Sequence, residues 1–218
     1  MNRPGTICVT GRGLIRLKPD TMRVTITLEG VESDHAKTLA RSSSETERIR
    51  AALADAGFLR EDLKTVQFRV EPEYEGYQEQ GVYRQRFVGF RSRHELKIEF
   101  PFDNDRLGGV FSAIAEAKLS PELSVAYTVR DREAAKNALL GLAVADARAK
   151  AEALTAASGV KLLGVRHIRY AMNENEFAVH PIACGGVMRK MSADSFSPEI
   201  VPEEIEAEDT VTIVWEIE

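Results

Sequence analysis

The chain has 218 residues, 44% hydrophobic and 29% charged, with a formal net charge of −5 and an isoelectric point near 5.6. That is enough chain to bury a core without disulfide or metal staples, and its Lys and Arg are dispersed rather than gathered into the basic footprint of a nucleic-acid binder. No run approaches the ~20 apolar residues that span a bilayer, and the start, MNRPGTICVTG, holds no apolar signal-peptide core. The two cysteines, Cys8 and Cys184, stand far apart, as reduced thiols of a cytosolic protein do. A cytoplasmic protein with no membrane span and no nucleic-acid partner is therefore expected.

Residues Thr6 to Leu17 read as a strand with Ile7, Val9, Ile15 and Leu17 on one face and Gly11 and Gly13 between them on the same side. Lys18-Pro19-Asp20-Thr21 offers Pro where a type I turn needs a preset φ. Met22, Val24, Ile26 and Leu28 then alternate with Arg23, Thr25, Thr27 and Glu29, the pattern of a half-buried strand. The two strands are expected to form a β-hairpin. Ser33 or Asp34 can cap a helix reaching about Ala56, with Leu39, Ile49 and Leu53 as its apolar positions and Gly57 as its stop. A strand with Val66, Phe68 and Val70 on one face follows, and Pro72 ends it or marks it as an edge. EYEGYQEQGVYRQ reads as a polar hairpin tip. The return strand sets Val88, Phe90, Leu96, Ile98 and Phe100 against Arg91, Arg93, Glu95, Lys97 and Glu99.

Asp103 can cap a short helix to about Lys118, and Leu123, Val125, Tyr127 and Val129 alternate as the next strand. Asp131 caps the longest helix, which ends at Ser158-Gly159. Its apolar stripe is read as Leu140, Val144, Ala147, Ala151 and Leu154, with Asp146–Lys150 and Arg148–Glu152 as solvent-side i,i+4 pairs. Leu162 to Tyr170 is a further strand. Residues 171–197 show no sustained period. Val211, Ile213, Trp215 and Ile217 alternate as a terminal strand that should insert into a sheet.

Ala52–Val70 and Ala153–Tyr170 echo each other: helix end, Gly, apolar residue, strand. The whole chain, 1–218, reads as one α+β domain. Two weakly similar strand–helix–strand halves, about 20–101 and 121–218, would form a mainly antiparallel common sheet with helices on one face.

The glycines of VTGRG invite comparison with a phosphate-binding loop. Such a loop runs from a strand into a helix N-terminus, so that backbone N–H groups and the helix dipole meet phosphate. Here GRG is followed by LIRL and a Pro turn into another strand, with no Gly-Lys-Ser/Thr. The glycines read instead as gaps in the apolar face, left for close approach by the helix that carries Ala143, Ala147, Ala149 and Ala151.

With these elements in order, the chain resembles the SIMPL-domain family, which includes bacterial YggE-like and periplasmic immunogenic proteins. The pieces are VTGRG then KPD; Gly57 with Thr65, Phe68, Pro72 and Tyr74; GFRSRHELKI; ALLGLAVADARAKAEALTAASG; and VPEEIEAEDTVTIVWEI. The resemblance implies an α+β fold of strand–helix–strand units, large homo-oligomers in some members, no established catalytic residues, and a loose tie to stress tolerance. Two departures stand out. Many bacterial relatives carry a secretion signal that is not seen here, and Pro202 is followed by Glu203 where the family often has Pro-Gly.

No catalytic, cofactor or metal constellation is expected. His94, between Phe90 and Leu96 on an apolar face, reads as a core histidine with a hydrogen-bonded partner, against the alternative of a poised acid/base. His35, His167 and His180 are scattered, and His180 and Cys184 are separated by Pro181 and followed by glycines, which does not suit a helical ligand pair. Asp20 is a turn residue. Ser42-Ser43-Ser44 lies within a helix and lacks a nucleophile elbow. Glu203, Glu204, Glu206, Glu208 and Asp209 read as a solvated acidic edge, with cation binding the minor alternative. The segment 171–197 carries Met172, Phe177, Met188, Met191, Phe196 and Cys184, adaptable side chains suited to subunit or partner contact, then to internal packing, then to a ligand. The expected role is a non-enzymatic protein acting by homo-oligomerisation or partner binding through sheet edges and this loop. The alternative is a small-molecule binding module with a pocket under 171–197.

Overall fold

The structure, a computed structural model, describes residues 5–79, 81–171, 177–183 and 202–218. In chain order the elements are β1 (Gly5–Leu17), β2 (Thr21–Glu32), α1 (His35–Asp55), β3 (Lys64–Glu79), β4 (Val82–Pro101), α2 (Asn104–Glu116), β5 (Glu122–Thr128), α3 (Arg132–Ser158), β6 (Leu162–Arg169), β7 (Ala178–Ala183) and β8 (Ile205–Ile217). They form an α+β fold, as expected. The strands fall into two sheets rather than one, a three-stranded sheet in the order β1-β8-β6 and a five-stranded sheet in the order β3-β4-β2-β5-β7. Two compact units result. One holds the chain to Pro19, Thr128–Val179 and Glu203–Glu218; the other holds Asp20–Tyr127 and His180–Pro202.

The expected first hairpin does not form. β1 pairs antiparallel with β8, from Gly5 opposite Ile217 to Leu17 opposite Ile205, while β2 pairs with β4. Pro19-Asp20 is where the chain passes from one unit to the other. Alternation fixes which face of a strand is buried, but not its partner. Here β1 shares a buried core with β8 and α3, and cross-strand pairs accompany it: Arg12 with Glu208 and Arg16 with Glu206, and Thr10 with Thr212 at 2.9 Å. The acidic run is thus not a plain solvated edge. Glu206 and Glu208 face arginines, and Asp209 is buried, accepting from Tyr170 Oη at 2.8 Å.

In this unit α3 packs on β1 and β8. Asp131 caps it through Ala134 N, and Gly159, at φ 70°, ends it in the left-handed conformation that favours glycine. Its buried stripe is Ala135, Leu139, Ala143, Ala147, Ala151 and Thr155. The expected stripe is therefore corrected: Val144 and Leu154 are exposed, and so is Ala149. A choice by hydrophobicity favours the larger residues, but contact here is decided by small size. A Cβ on Gly11 would stand 2.6 Å from Ala147 Cβ and closer still to the Ala143 carbonyl oxygen, and one on Gly13 would stand 2.9 Å from Ala143 N. The glycines are indeed the gaps that the alanine helix fills. At this distance Asp146 accepts from Arg12 N at 2.7 Å and from Lys150 Nζ at 2.7 Å. Those two bonds, Lys150 first, hold its carboxyl below its ordinary value. Arg148–Glu152 also forms as expected.

Phe177 is 2% exposed. It packs with Val129, Ala135, Leu139, Ile205 and Ala207, and its carbonyl accepts from Thr128 Oγ1 at 2.6 Å. For this one side chain of the 171–197 segment the structure shows internal packing. The segment also contains β7, a strand its sequence does not announce. Met172, Cys184, Met188, Met191 and Phe196 lie outside the described residues.

In the other unit β2 sits between β4 and β5, with Met22, Val24 and Ile26 fully buried beside Leu96 and Ile98 of β4. α1 lies on β2 and β4 and touches α2. Asp34 and Asp103 cap these two helices, each accepting two backbone N–H bonds. β3 is an edge strand, which is what allows Pro72 within it.

Candidate functional site

Two features of the five-stranded sheet stand out, a projecting arm and a cleft over His94. The arm arises because β2 ends at Glu32, opposite Phe90, while β3 and β4 pair on to Glu79 opposite Val82. From Glu73 and Gly89 outward the two strands have only each other. Gly89 marks the root. A side chain there would meet the Glu32 backbone, and its φ is 149°, so glycine lets β4 pass the end of β2. Every described residue from Tyr74 to Phe87 is exposed.

The register gives the arm two unlike faces. On one, Glu75 pairs with Arg86 and Glu79 with Arg84. The other carries Tyr74 opposite Phe87, Gly76 opposite Gln85 and Gln78 opposite Tyr83, with no charged side chain. Tyr83 Oη sits where a Cβ of Gly76 would be. Tyr74 and Phe87 meet edge to face at 5.8 Å, and Phe87 continues to Phe90 at 5.3 Å. Tyr74 is 55%, Tyr83 67% and Phe87 49% exposed. The stretch is a hairpin, as expected, but one face of it carries aromatic side chains and no charge rather than being polar throughout. The available signal was the period-2 spacing of Tyr74-Gly76-Gln78 and of Tyr83-Gln85-Phe87, one uncharged face within a charged sequence.

His94 lies on β4 beneath α1. The helix buries three hydroxyls, Thr38, Ser42 and Thr46, along with Ile49 and Leu53, while Leu39, expected inside, is 40% exposed. His94 Nδ1 lies 3.1 Å from Thr46 Oγ1 and 3.3 Å from Ser42 Oγ, and Nε2 lies 3.0 Å from Thr65 Oγ1. The single hydroxyl proton of Thr46 goes to the Ser42 carbonyl at 2.8 Å, so toward His94 Thr46 accepts. That arrangement suits a hydrogen on Nδ1, with Nε2 accepting from Thr65. Burial, then the Arg50 charge, lowers the imidazole's pKa and favours the neutral form. The histidine is hydrogen-bonded, as expected, but it has three hydroxyl neighbours and is half-buried at a cleft rather than in the core. Behind Nδ1 stand hydroxyls, not the carboxylate that steadies an imidazolium in a hydrolase triad.

Above the ring a cleft of about 240 Å³ is lined by Leu39, Ser42, Ser43, Thr46, Glu47, Arg50, Phe68 and His94. Glu47 accepts both nitrogens of Arg60 at 2.7 Å and Arg50 Nη1 at 2.6 Å. Arg60, then Arg50, holds its pKa at about 2, far from the value a general base needs near neutrality. The remaining candidates stay apart. His35 meets the Phe90 ring edge, Asp20 accepts from Thr21, and His167 lies on β6 opposite Val214. The His180 side chain is outside the described residues. Among the described residues no three His, Cys, Asp or Glu side chains gather to hold a metal, and no helix is long and apolar enough to cross a membrane.

Fold and site together define an α+β protein of antiparallel sheets and helices, with a β3–β4 arm that is exposed throughout its described residues. The SIMPL family model, described as a protein of unknown function (DUF541), matches residues 7–215. The chain belongs to this family. No curated protein matches it.

Proposed function

We propose that the protein works by association rather than by catalysis, and that the uncharged face of the β3–β4 arm is its contact surface, with a second copy of the chain as partner. The exposed Tyr74–Tyr83–Phe87 face carries this reading. A two-stranded ribbon alone is marginally stable in water, and exposed aromatics of this kind belong to interfaces. The face has no charge with which to select an acidic or basic partner. Two such faces packed about a twofold axis, ~10 Å apart, would bury each other's rings. The charged faces, already neutralised by Glu75–Arg86 and Glu79–Arg84, would stay in water. The homo-oligomers that the family resemblance implies agree with this reading. With two cysteines far apart in sequence, we place the association in the cytoplasm, and a stress-related role follows the family resemblance alone.

Light scattering during size exclusion tests it. The wild type should run as a dimer or larger, and Tyr74→Ser/Tyr83→Ser/Phe87→Ser as a monomer with unchanged circular dichroism. A wild-type monomer at high micromolar concentration, or a triple variant of unchanged mass, contradicts it.

A further inference from the structure

The cleft over His94 holds a cation in an unusual position. Glu47 has both oxygens on Arg60, so it stays paired if the bond from Arg50 Nη1 is given up. Arg50 Nε, meanwhile, is buried with no acceptor among the described residues. A buried donor without a partner is unfavourable, so Arg50 has a donor still to satisfy. Turning its Nε–Nη2 edge into the cleft leaves Glu47 paired and gives Nε an acceptor, if an oxyanion is there. Glu47, Arg50 and Arg60 together carry a net charge of +1, and neutral His94 adds none, which suits a monoanion. Leu39 and Phe68, 40% and 43% exposed at the same cleft, offer apolar surface to whatever carries the charge. Ser43, facing the cleft from α1, adds a hydroxyl.

We propose that this cleft binds a small monocarboxylate with an apolar body, its carboxylate held by Arg50 and its body lying between Leu39 and Phe68. The planar guanidinium edge matches the two carboxylate oxygens, and apolar walls with a few convergent polar groups are the usual make-up of a small-ligand site. The site belongs to one chain and does not depend on association through the arm.

The probes are benzoate and its neutral isostere benzamide, titrated into the full-length protein while the His94 ring signals are followed by NMR at constant ionic strength. Benzoate should give a saturable shift of the His94 signals. Benzamide should bind at least tenfold more weakly, and Arg50→Gln should weaken benzoate at least tenfold. The absence of a saturable shift with benzoate would overturn the proposal, as would benzamide binding equally well or benzoate affinity unchanged in Arg50→Gln. Should Arg50→Gln fail to fold, the benzoate–benzamide comparison on the wild type decides alone.

Discussion

Replacing Gly11 with Ala adds one carbon where β1 meets α3. That carbon would sit 2.6 Å from Ala147 Cβ and nearer still to the Ala143 carbonyl oxygen, whereas ordinary carbon contacts lie near ~3.5–4.0 Å. The helix must retreat by about 1 Å or β1 must leave its register with β8. Overpacking of this kind costs about 1–3 kcal/mol. The upper end applies because the nearest atoms are backbone and cannot rotate away. For a chain of this length about 3 kcal/mol corresponds to a fall in Tm of roughly 6–12 °C. Retreat also pulls Asp146 from Arg12 N, so the Arg12 amide should lose hydrogen-exchange protection. Ala147→Gly should not rescue the variant, since the Ala143 carbonyl remains. Gly141, on the same helix with nothing within 4 Å of an added Cβ, is the control: Gly141→Ala should stabilise by about 0.5–1 kcal/mol through helix propensity. Thermal and urea unfolding of the three variants read this out. A Gly11→Ala protein within about 0.5 kcal/mol of wild type would refute the close-packing argument.

Phe177→Ala should cost about 3–5 kcal/mol by urea unfolding, the usual penalty for emptying a buried aromatic site; a loss under 1 kcal/mol would mean that Phe177 is not in the core. Gly89→Ala should destabilise by about 1–3 kcal/mol, from positive φ and the clash with Glu32, with arm amides losing protection first. The lowered pKa of His94 makes stability depend on pH. Between its folded value and the ordinary 6.5 the unfolded chain binds more protons, so stability should rise with pH through this window and level off above about 6.5. Arg50 and Glu47 of α1 and the hydroxyls of Ser42, Thr46 and Thr65 face the ring. None of those hydroxyls titrates there and Glu47 stays ionised, so His94→Gln should flatten the step; an unchanged profile would assign it elsewhere.

The sequence alone makes some of this legible and hides the rest for physical reasons. Period-2 and period-3.6 patterns, with Asp34, Asp103 and Asp131 as caps and Gly159 as a stop, place the helices and all strands but β7, because each signal is local. The Gly11–Gly13 gap is legible because only a small-residue helix could fill it. Strand partners are not, since β1 matches β2 and β8 equally well by alternation, and the contacts that join β1 to β8 lie far apart in the sequence. The α3 stripe is misread because alanine scores low on hydrophobicity while being what the contact needs. In α1 the hydroxyls look like a solvated face until His94 is placed beneath them. The arm is hidden because Tyr, Gln and Gly alternate with Glu and Arg, so the segment reads as polar on average although one of its faces carries no charge.

Hydrogen exchange of the arm as a function of protein concentration tests the association reading most directly. If the Tyr74–Tyr83–Phe87 face is covered by a second copy, amides of residues 73–87 should be protected at high micromolar concentration and exchange quickly on dilution, while those of β2 and α3 stay unchanged. Arm exchange that is fast and independent of concentration would contradict the account.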